Sequence, residues 1–329
     1  MEAPAMKASI AILHNNLAHS ALTYINWDLS TFCNYSCSYC PERLHDGLHQ
    51  GPAVNPALRF CERVIRHYRD LGRGTFFKFT GGEPTLYKHL PALLCRIKEL
   101  GSSVGLNSNA SRAVAWWDQV VEYLDYVIFT YHLEFTDGEH FISVVNRMLE
   151  REITTHLNLT MLPNRFDECQ RLAETLISRC KGASVALKPL TINFGEKLYP
   201  YSNRQKEVMH QPTPPPAKAN SFRGAMRRVY QDGTSQAVQP TQLILLEENR
   251  WSSWNCNAGI ESLSIRADGE IYRAVCKQGG SLGNLADEDF SFPESPVKCA
   301  KNACSCIADI RISKWLGDEG LTSVARPQS

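Results

Sequence analysis

The chain has 329 residues, 43% of them hydrophobic and 21% charged, which suffices for one large domain or two modest ones with an ample core. Lys and Arg number 35 against 34 Asp and Glu, and this formal charge of +1 excludes a nucleic-acid tract or an anionic membrane surface as the main partner. No apolar run reaches the ~18 residues of a membrane span, and the first residues lack the charged-then-apolar order of a signal peptide. A cytosolic setting is therefore expected, where thiols stay reduced and 12 cysteines point to metal or catalysis before disulfides.

Short β-rich runs alternate with amphipathic stretches through the first two-thirds. Strands are predicted at Tyr24–Leu29, Phe76–Thr80, Val104–Asn107, Tyr126–Tyr131, His156–Met161 and Val185–Lys188. Helices are predicted near 57–71, 88–100, 112–124, 139–151 and 166–180; Leu58, Cys61, Ile65 and Tyr68 recur at helical spacing in the first. Six such units imply a parallel sheet, an α/β partial (β/α)6 TIM barrel rather than the full eight-unit barrel. The first strand is expected near residue 23, leaving no room before it for a separate leader-peptide-binding domain. The proline-rich stretch Gln211–Asn220 reads as a linker. Beyond it, Ser262–Ile265 and Ile271–Val275 read as a hairpin turned at Asp268-Gly269. The expected organisation is a barrel core over 1–210, a linker with substrate-contacting residues over 211–250, and a small β-containing module over 251–329.

Cysteines are grouped. Cys33, Cys37 and Cys40 crowd the loop after the first strand, which is the catalytic face of a parallel βα barrel. Zinc or a four-cysteine cluster would need a fourth ligand, and no other cysteine or histidine lies within four residues of the trio. Three thiolates on one cluster leave an iron open. Cys256 and Cys276 flank the predicted hairpin, whose ends must meet, and Cys299, Cys304 and Cys306 follow, five candidates for four ligand positions. Cys61, Cys95, Cys169 and Cys180 fall mostly on predicted helices, where packing is the default for a thiol.

The spacing CxxxCxxC with Tyr39 before its last cysteine, followed by Gly81-Gly82-Glu83-Pro84 after the second strand, resembles the radical S-adenosylmethionine (radical SAM) enzymes. The resemblance implies a 4Fe-4S cluster on Cys33, Cys37 and Cys40 whose open iron chelates SAM, with reductive cleavage to methionine and a 5′-deoxyadenosyl radical. By the same resemblance Gly81, Gly82 and Glu83 meet the SAM amino group, Pro84 starts the following helix, and Asn107, Asn109 and Thr130 lie near SAM. Turn capping explains the asparagines equally. His132, Glu134 and Lys188, at strand ends facing the cavity, are candidate substrate or cofactor contacts, with structural roles as the alternative.

The C-terminal cysteines resemble the twitch module, the shortened SPASM domain holding one auxiliary iron–sulfur cluster of 4Fe-4S type. Gly269 sits farther from Cys276 than the common pattern. Cys256, Cys276 and Cys304 are the first choices, with Cys299 or Cys306 as the fourth, and structural zinc is the alternative. One of the middle or unassigned thiols is a candidate hydrogen donor in an epimerase. The implied reaction is oxidation or epimerisation of a small sugar-like or aminocyclitol substrate, supplied with electrons by an external donor such as flavodoxin or ferredoxin. A ribosomally made peptide substrate, a non-catalytic electron-transfer protein and a glycyl-radical activase are the competing readings. Arg223, Arg227, Tyr230, Trp251 and Trp254 form either a lid over substrate or packing for the module.

Overall fold

Between Leu22 and Pro189 each strand is joined to the next by a helix that carries the chain back to where a parallel neighbour can begin. The computed structural model describes residues 8–194, 197–211, 226–287 and 290–317. A first strand, β1 (Ser9–His14), and a short helix, α1 (Leu17–Ser20), precede this series. It comprises β2 (Leu22–Asp28), α2 (Val54–Asp70), β3 (Gly74–Thr80), α3 (Leu90–Glu99), β4 (Ser103–Ser108), α4 (Val114–Val120) and β5 (Tyr126–Tyr131). It continues with α5 (Gly138–Glu150), β6 (Thr154–Met161), α6 (Phe166–Arg179) and β7 (Ser184–Pro189). The six strands β2 to β7 are parallel and lie in chain order, the α/β partial barrel that the sequence implies.

Two-residue alternation divides each strand between two environments. Ile25, Trp27, Phe77, Phe79, Val104 and Leu106 turn toward the helices and join the main core, where Cys61, Cys169 and Cys180 also lie. The alternate positions face the barrel interior. Tyr24, Phe76, Tyr126 and Ile128 form an aromatic floor there, and Gly105 lets the Phe76 ring lie across β4, since a Cβ would come within 2.5 Å of it. Nearer the strands' C-terminal ends the lining turns polar, with Asn26, Lys78, Asn107, Thr130, Asn158 and Thr160.

After α7 (Asn203–His210) the chain builds β8 (Met226–Tyr230), β9 (Ser235–Val238), α8 (Pro240–Leu245) and β10 (Asn255–Cys256). Then come β11 (Ser262–Ile265), β12 (Glu270–Tyr272), β13 (Ser281–Asn284), β14 (Val297–Lys298), α9 (Ile307–Ile310) and β15 (Lys314–Trp315). The expected hairpin forms, with Ser264 opposite Tyr272 and Ile265 opposite Ile271, and Gly269 takes φ of 87° in its turn. Its first strand pairs in parallel with β2, from Ser262 beside Tyr24 to Ile265 beside Trp27. Hence β11, β12 and β13 extend the barrel sheet past its β2 edge.

The first strand is Ser9–His14, not one near residue 23. It sits inside a second, six-stranded sheet ordered β14-β10-β15-β1-β8-β9. Ala11 and Leu13 pack with Val229 and Trp315 on one face, and Ile12 packs with Trp251 and Ile310 on the other. Both faces being covered, the strand reads as an unbroken apolar run without alternation, which is why its period gives no signal. Of the linker, residues 212–220 lie outside the described residues, as does Arg223.

Candidate functional site

The loop after β2 lies across the strands' C-terminal ends because two backbones approach there at close range. Leu29 N–H donates to Thr80 O (2.8 Å), Gly82 N–H to Ser30 O (2.8 Å) and Glu83 N–H to Phe32 O (2.7 Å). A Cβ at Gly81 would stand 2.5 Å from Ser30 O, and one at Gly82 only 2.1 Å from Phe32 O; Gly81 also has φ of 129°. Only glycine permits this approach. Glu83 is 1% exposed, and its carboxylate accepts from Thr85 N–H (3.1 Å), Thr85 Oγ1 (2.7 Å), Ser108 Oγ (2.8 Å) and Asn109 N–H (2.8 Å). Its carboxylate therefore fastens the end of β3 to the end of β4. Pro84, buried, opens the 3-10 turn Pro84–Leu86.

Cys33, Cys37 and Cys40 line the loop so fixed. Cys37 is 6% exposed and the other two are half-buried. Burial pushes all three thiols up, Cys37 to about 12 and Cys40 to about 11, and mutual repulsion among them adds to the rise in these two. The trio is thus a set of neighbouring protonated thiols that a cationic cluster would deprotonate. Among the described residues, no three His, Cys, Asp or Glu side chains converge on a point that would hold a single metal ion. Three thiols on one short loop are the donor chemistry that an iron–sulfur cluster takes, so the residues present fit that group.

Around the trio, Tyr39 and His132 stack at 6.0 Å between centroids, with Tyr39 Oη 2.6 Å from His132 Nδ1. Burial holds the Tyr39 phenol protonated, so its O–H donates and His132 keeps its own proton on Nε2. His132 is depressed to about 4 by burial and by the Lys188 charge, which leaves a neutral imidazole at pH 7. Lys188 also lowers the Cys40 thiol, so it stands near both groups at the end of β7. Glu134 lies elsewhere in function: both its oxygens accept from Ser38, N–H (2.8 Å) and Oγ, clamping the cysteine loop from the surface. Asn109 donates to Asn34 Oδ1 (3.0 Å) and accepts from Ser111 N–H (3.0 Å), a loop brace. Asn107 donates to Thr80 Oγ1 (3.3 Å), while its buried Oδ1 has no hydrogen-bond partner among the described residues and is available to a ligand. Thr130 accepts from Asn158 Nδ2 at 3.5 Å.

The C-terminal thiols gather between the two sheets. Cys256 and Cys276 share an apolar cluster with Ala258, Ala274 and Ile312, as hairpin closure predicts. Cys299 is pinned beside them, its N–H on Trp254 O (2.8 Å) and its O receiving Ser253 N–H (2.7 Å). Cys304 is buried against Trp251 and Ile12. Burial raises all of Cys256, Cys276, Cys304 and Cys306; the electrostatic contacts run Cys299 to Cys256, Cys256 to Cys276, Cys276 to Cys304, and Cys304 to Cys306. Cys306 stands at the N-terminal end of α9, where the charge of Lys78 from the barrel interior reaches it. Trp251 and Trp254 pack this region, and the Tyr230 hydroxyl donates to Gln236 (2.9 Å), so these residues serve packing and sheet structure. Of the middle cysteines, Cys61, Cys169 and Cys180 are core residues and Cys95 is half-buried on α3.

Several residues escape a reading by motif. Asp28, at the end of β2, pairs with Arg266, the residue after β11, inside the barrel; burial pushes its carboxyl up, with Arg266 and Lys78 opposing. Glu261 is buried between the sheets and accepts from His14 Nε2 (3.1 Å), Asn257 Nδ2 (2.7 Å) and Ser313 N–H (2.8 Å). Lys314 and Asp309 are each 2% exposed beside the C-terminal thiols. Each depends on pairing between distant strands, for which the sequence gives no local signal.

Residues 27–162 match the Radical SAM superfamily model. GTP 3′,8-cyclase of Vibrio atlanticus (strain LGP32) is 28% identical over 91 residues, 27% of this chain, and the match spans 26% of that relative's length. Among solved structures, native anSMEcpe with bound AdoMet is similar at TM-score 0.52 and 16% identity, over 81% of this chain and 78% of that one. Streptococcus suis SuiB bound to precursor peptide SuiA is similar at TM-score 0.51 and 16% identity, over 82% of this chain and 64% of that one. Both structures share the fold. The cysteine loop and the glycine segment bonded to it both fall within residues 27–162, the stretch of chain that is similar to the Radical SAM superfamily model.

Proposed function

We infer that this chain is an enzyme that cleaves SAM reductively and removes a hydrogen atom from a small, hydroxyl-rich substrate. The observation that carries this reading is the placement of Cys33, Cys37 and Cys40 over a barrel interior lined with amides, hydroxyls and ammonium groups. Cys33, Cys37 and Cys40 would hold the 4Fe-4S cluster, and Cys256, Cys276, Cys304 and Cys299 an auxiliary one, with Cys306 turned toward the barrel. When bound, these groups supply the 5′-deoxyadenosyl radical for hydrogen abstraction and a second one-electron centre. The protein's own share is positioning and exclusion of water. Tyr39 and His132 form a rigid neutral wall, and Lys188 offers a positive charge to an anionic group. Asn107 offers an acceptor, and the aromatic floor limits depth. A neutral hydroxylated molecule, sugar-like or an aminocyclitol, suits this lining better than an apolar one. Its oxidation or epimerisation is the reaction proposed, with an external donor such as flavodoxin or ferredoxin delivering the electron that SAM cleavage needs.

The test supplies the anaerobically reconstituted chain with reductant, SAM and separate pools of sugars, aminocyclitols and peptides. Substrate-dependent 5′-deoxyadenosine with a product lighter by two hydrogens indicates oxidation. Uptake of one solvent deuterium at unchanged composition indicates epimerisation. Stimulation by peptides alone contradicts the small-substrate reading.

A further inference from the structure

Lys314 is the cross-strand partner of Cys256, so their side chains leave the second sheet on one face. The residue is 2% exposed. Its Nζ donates to the carbonyls of Asp309 (2.9 Å), Ile310 (3.1 Å) and Ile312 (2.7 Å) and lies 4.7 Å from the Trp251 ring centroid. All three ammonium hydrogens are thereby used. Among the described residues no carboxylate makes an ion pair with it. The Asp309 carboxylate accepts from the amides of Val275 (3.0 Å) and Cys276 (2.6 Å) and feels the Lys314 charge through space without a direct ion pair.

Two ordinary explanations for so buried a cation are too weak. A helix C-terminus attracts ammonium, but α9 has only four residues and a small dipole. The ring of Trp251 adds a modest attraction. Neither matches the cost of keeping a charged group from water. What surrounds Lys314 instead is sulfur: Cys256 across the strand, and Cys304 in the same buried cluster as Trp251. Four thiolates give a bound iron–sulfur cluster a net negative charge, which adds a counter-charge to that of Asp309.

We propose that Lys314 is the built-in counter-charge of the C-terminal cluster, a positioning residue that ligates no iron and sets how readily that cluster takes an electron. The inference rests on the auxiliary-cluster reading above. A fixed positive charge beside a cluster favours the reduced form, which holds one more electron.

The test is a reductive titration of the whole chain carrying Cys33→Ala, Cys37→Ala and Cys40→Ala, with titanium(III) citrate as one-electron reductant, EPR as readout and iron counted beforehand. Lys314→Gln keeps donors for the carbonyls and loses the charge. It is expected to lower the reduced-to-oxidised ratio at fixed potential at least tenfold, a midpoint shift of about 59 mV downward for one electron. Lys314→Arg keeps the charge and is expected to hold the parent midpoint. Iron lost in the Gln variant but retained in the Arg variant supports the same requirement at the stage of assembly. An iron-loaded Gln variant with the parent midpoint overturns the role of Lys314 and leaves the auxiliary cluster standing. Loss of iron in both variants shows that Lys314 acts through shape, and overturns the proposal. A parent chain that takes zinc, or no iron, at this site overturns the auxiliary-cluster reading and this inference with it.

Discussion

Gly82 sets the distance between the glycine segment and the cysteine loop, because its missing Cβ leaves room for Phe32 O at what would be 2.1 Å. The obstructing atom is backbone and cannot rotate away. Gly82→Ala is expected to cost about 3 kcal/mol in urea unfolding and to abolish iron binding at Cys33, Cys37 and Cys40. Gly101→Ala, where a Cβ meets open space but φ is 79°, should cost about 1 kcal/mol and leave iron content unchanged. His132 makes a pH prediction of definite sign. Its folded value near 4 lies below the ordinary 6.5, so the unfolded chain takes the proton first as pH falls. The stability this contributes is complete above pH 6.5 and is lost toward pH 4, up to about 3 kcal/mol. Thermal unfolding of metal-free His132→Asn should show a flatter acid limb than the parent over that window; an equal limb contradicts a buried neutral imidazole.

Among the elements, the second sheet ties chain segments that lie far apart in sequence. Glu261 is its pin, holding His14 of β1, Asn257 after β10 and the amide of Ser313 before β15. Glu261→Gln leaves these donors short of a charged acceptor in a buried site, and a loss of about 3 kcal/mol is expected by denaturant melt. Iron at the C-terminal site should fall with it while iron at the barrel site persists. The helices of the barrel are legible in the sequence because Cys61, Ile65 and Tyr68 repeat at helical spacing on one buried face. The cysteine loop is legible because its ligands are local. Strand β1 is not, since both its faces are covered and its apolar run has no period. Lys314 and Asp309 are not, because their meaning arises from strand pairing with Cys256 and from amides near Cys276. The GGEP-like segment is legible in place but only partly in role: its glutamate fastens β3 to β4, and its glycines admit the loop.

For the molecule as a whole, the first thiol group lies over the strand ends, and the charge of Lys78 in the barrel interior reaches Cys306 of the second. Two cubane clusters would bring about eight irons per chain, and Cys256→Ala with Cys276→Ala should leave about four with SAM cleavage retained in part. Stoichiometric zinc contradicts the second cluster. Oxidation or epimerisation of a substrate at this site requires that SAM be cleaved first. The decisive measurement is 5′-deoxyadenosine formed by the anaerobically reconstituted, reduced chain given SAM, beside the Cys33→Ala, Cys37→Ala and Cys40→Ala variants. 5′-Deoxyadenosine is expected from the parent and none above background from any of the three variants; a parent chain with a loaded cluster that leaves SAM intact would contradict SAM cleavage as the function of this site.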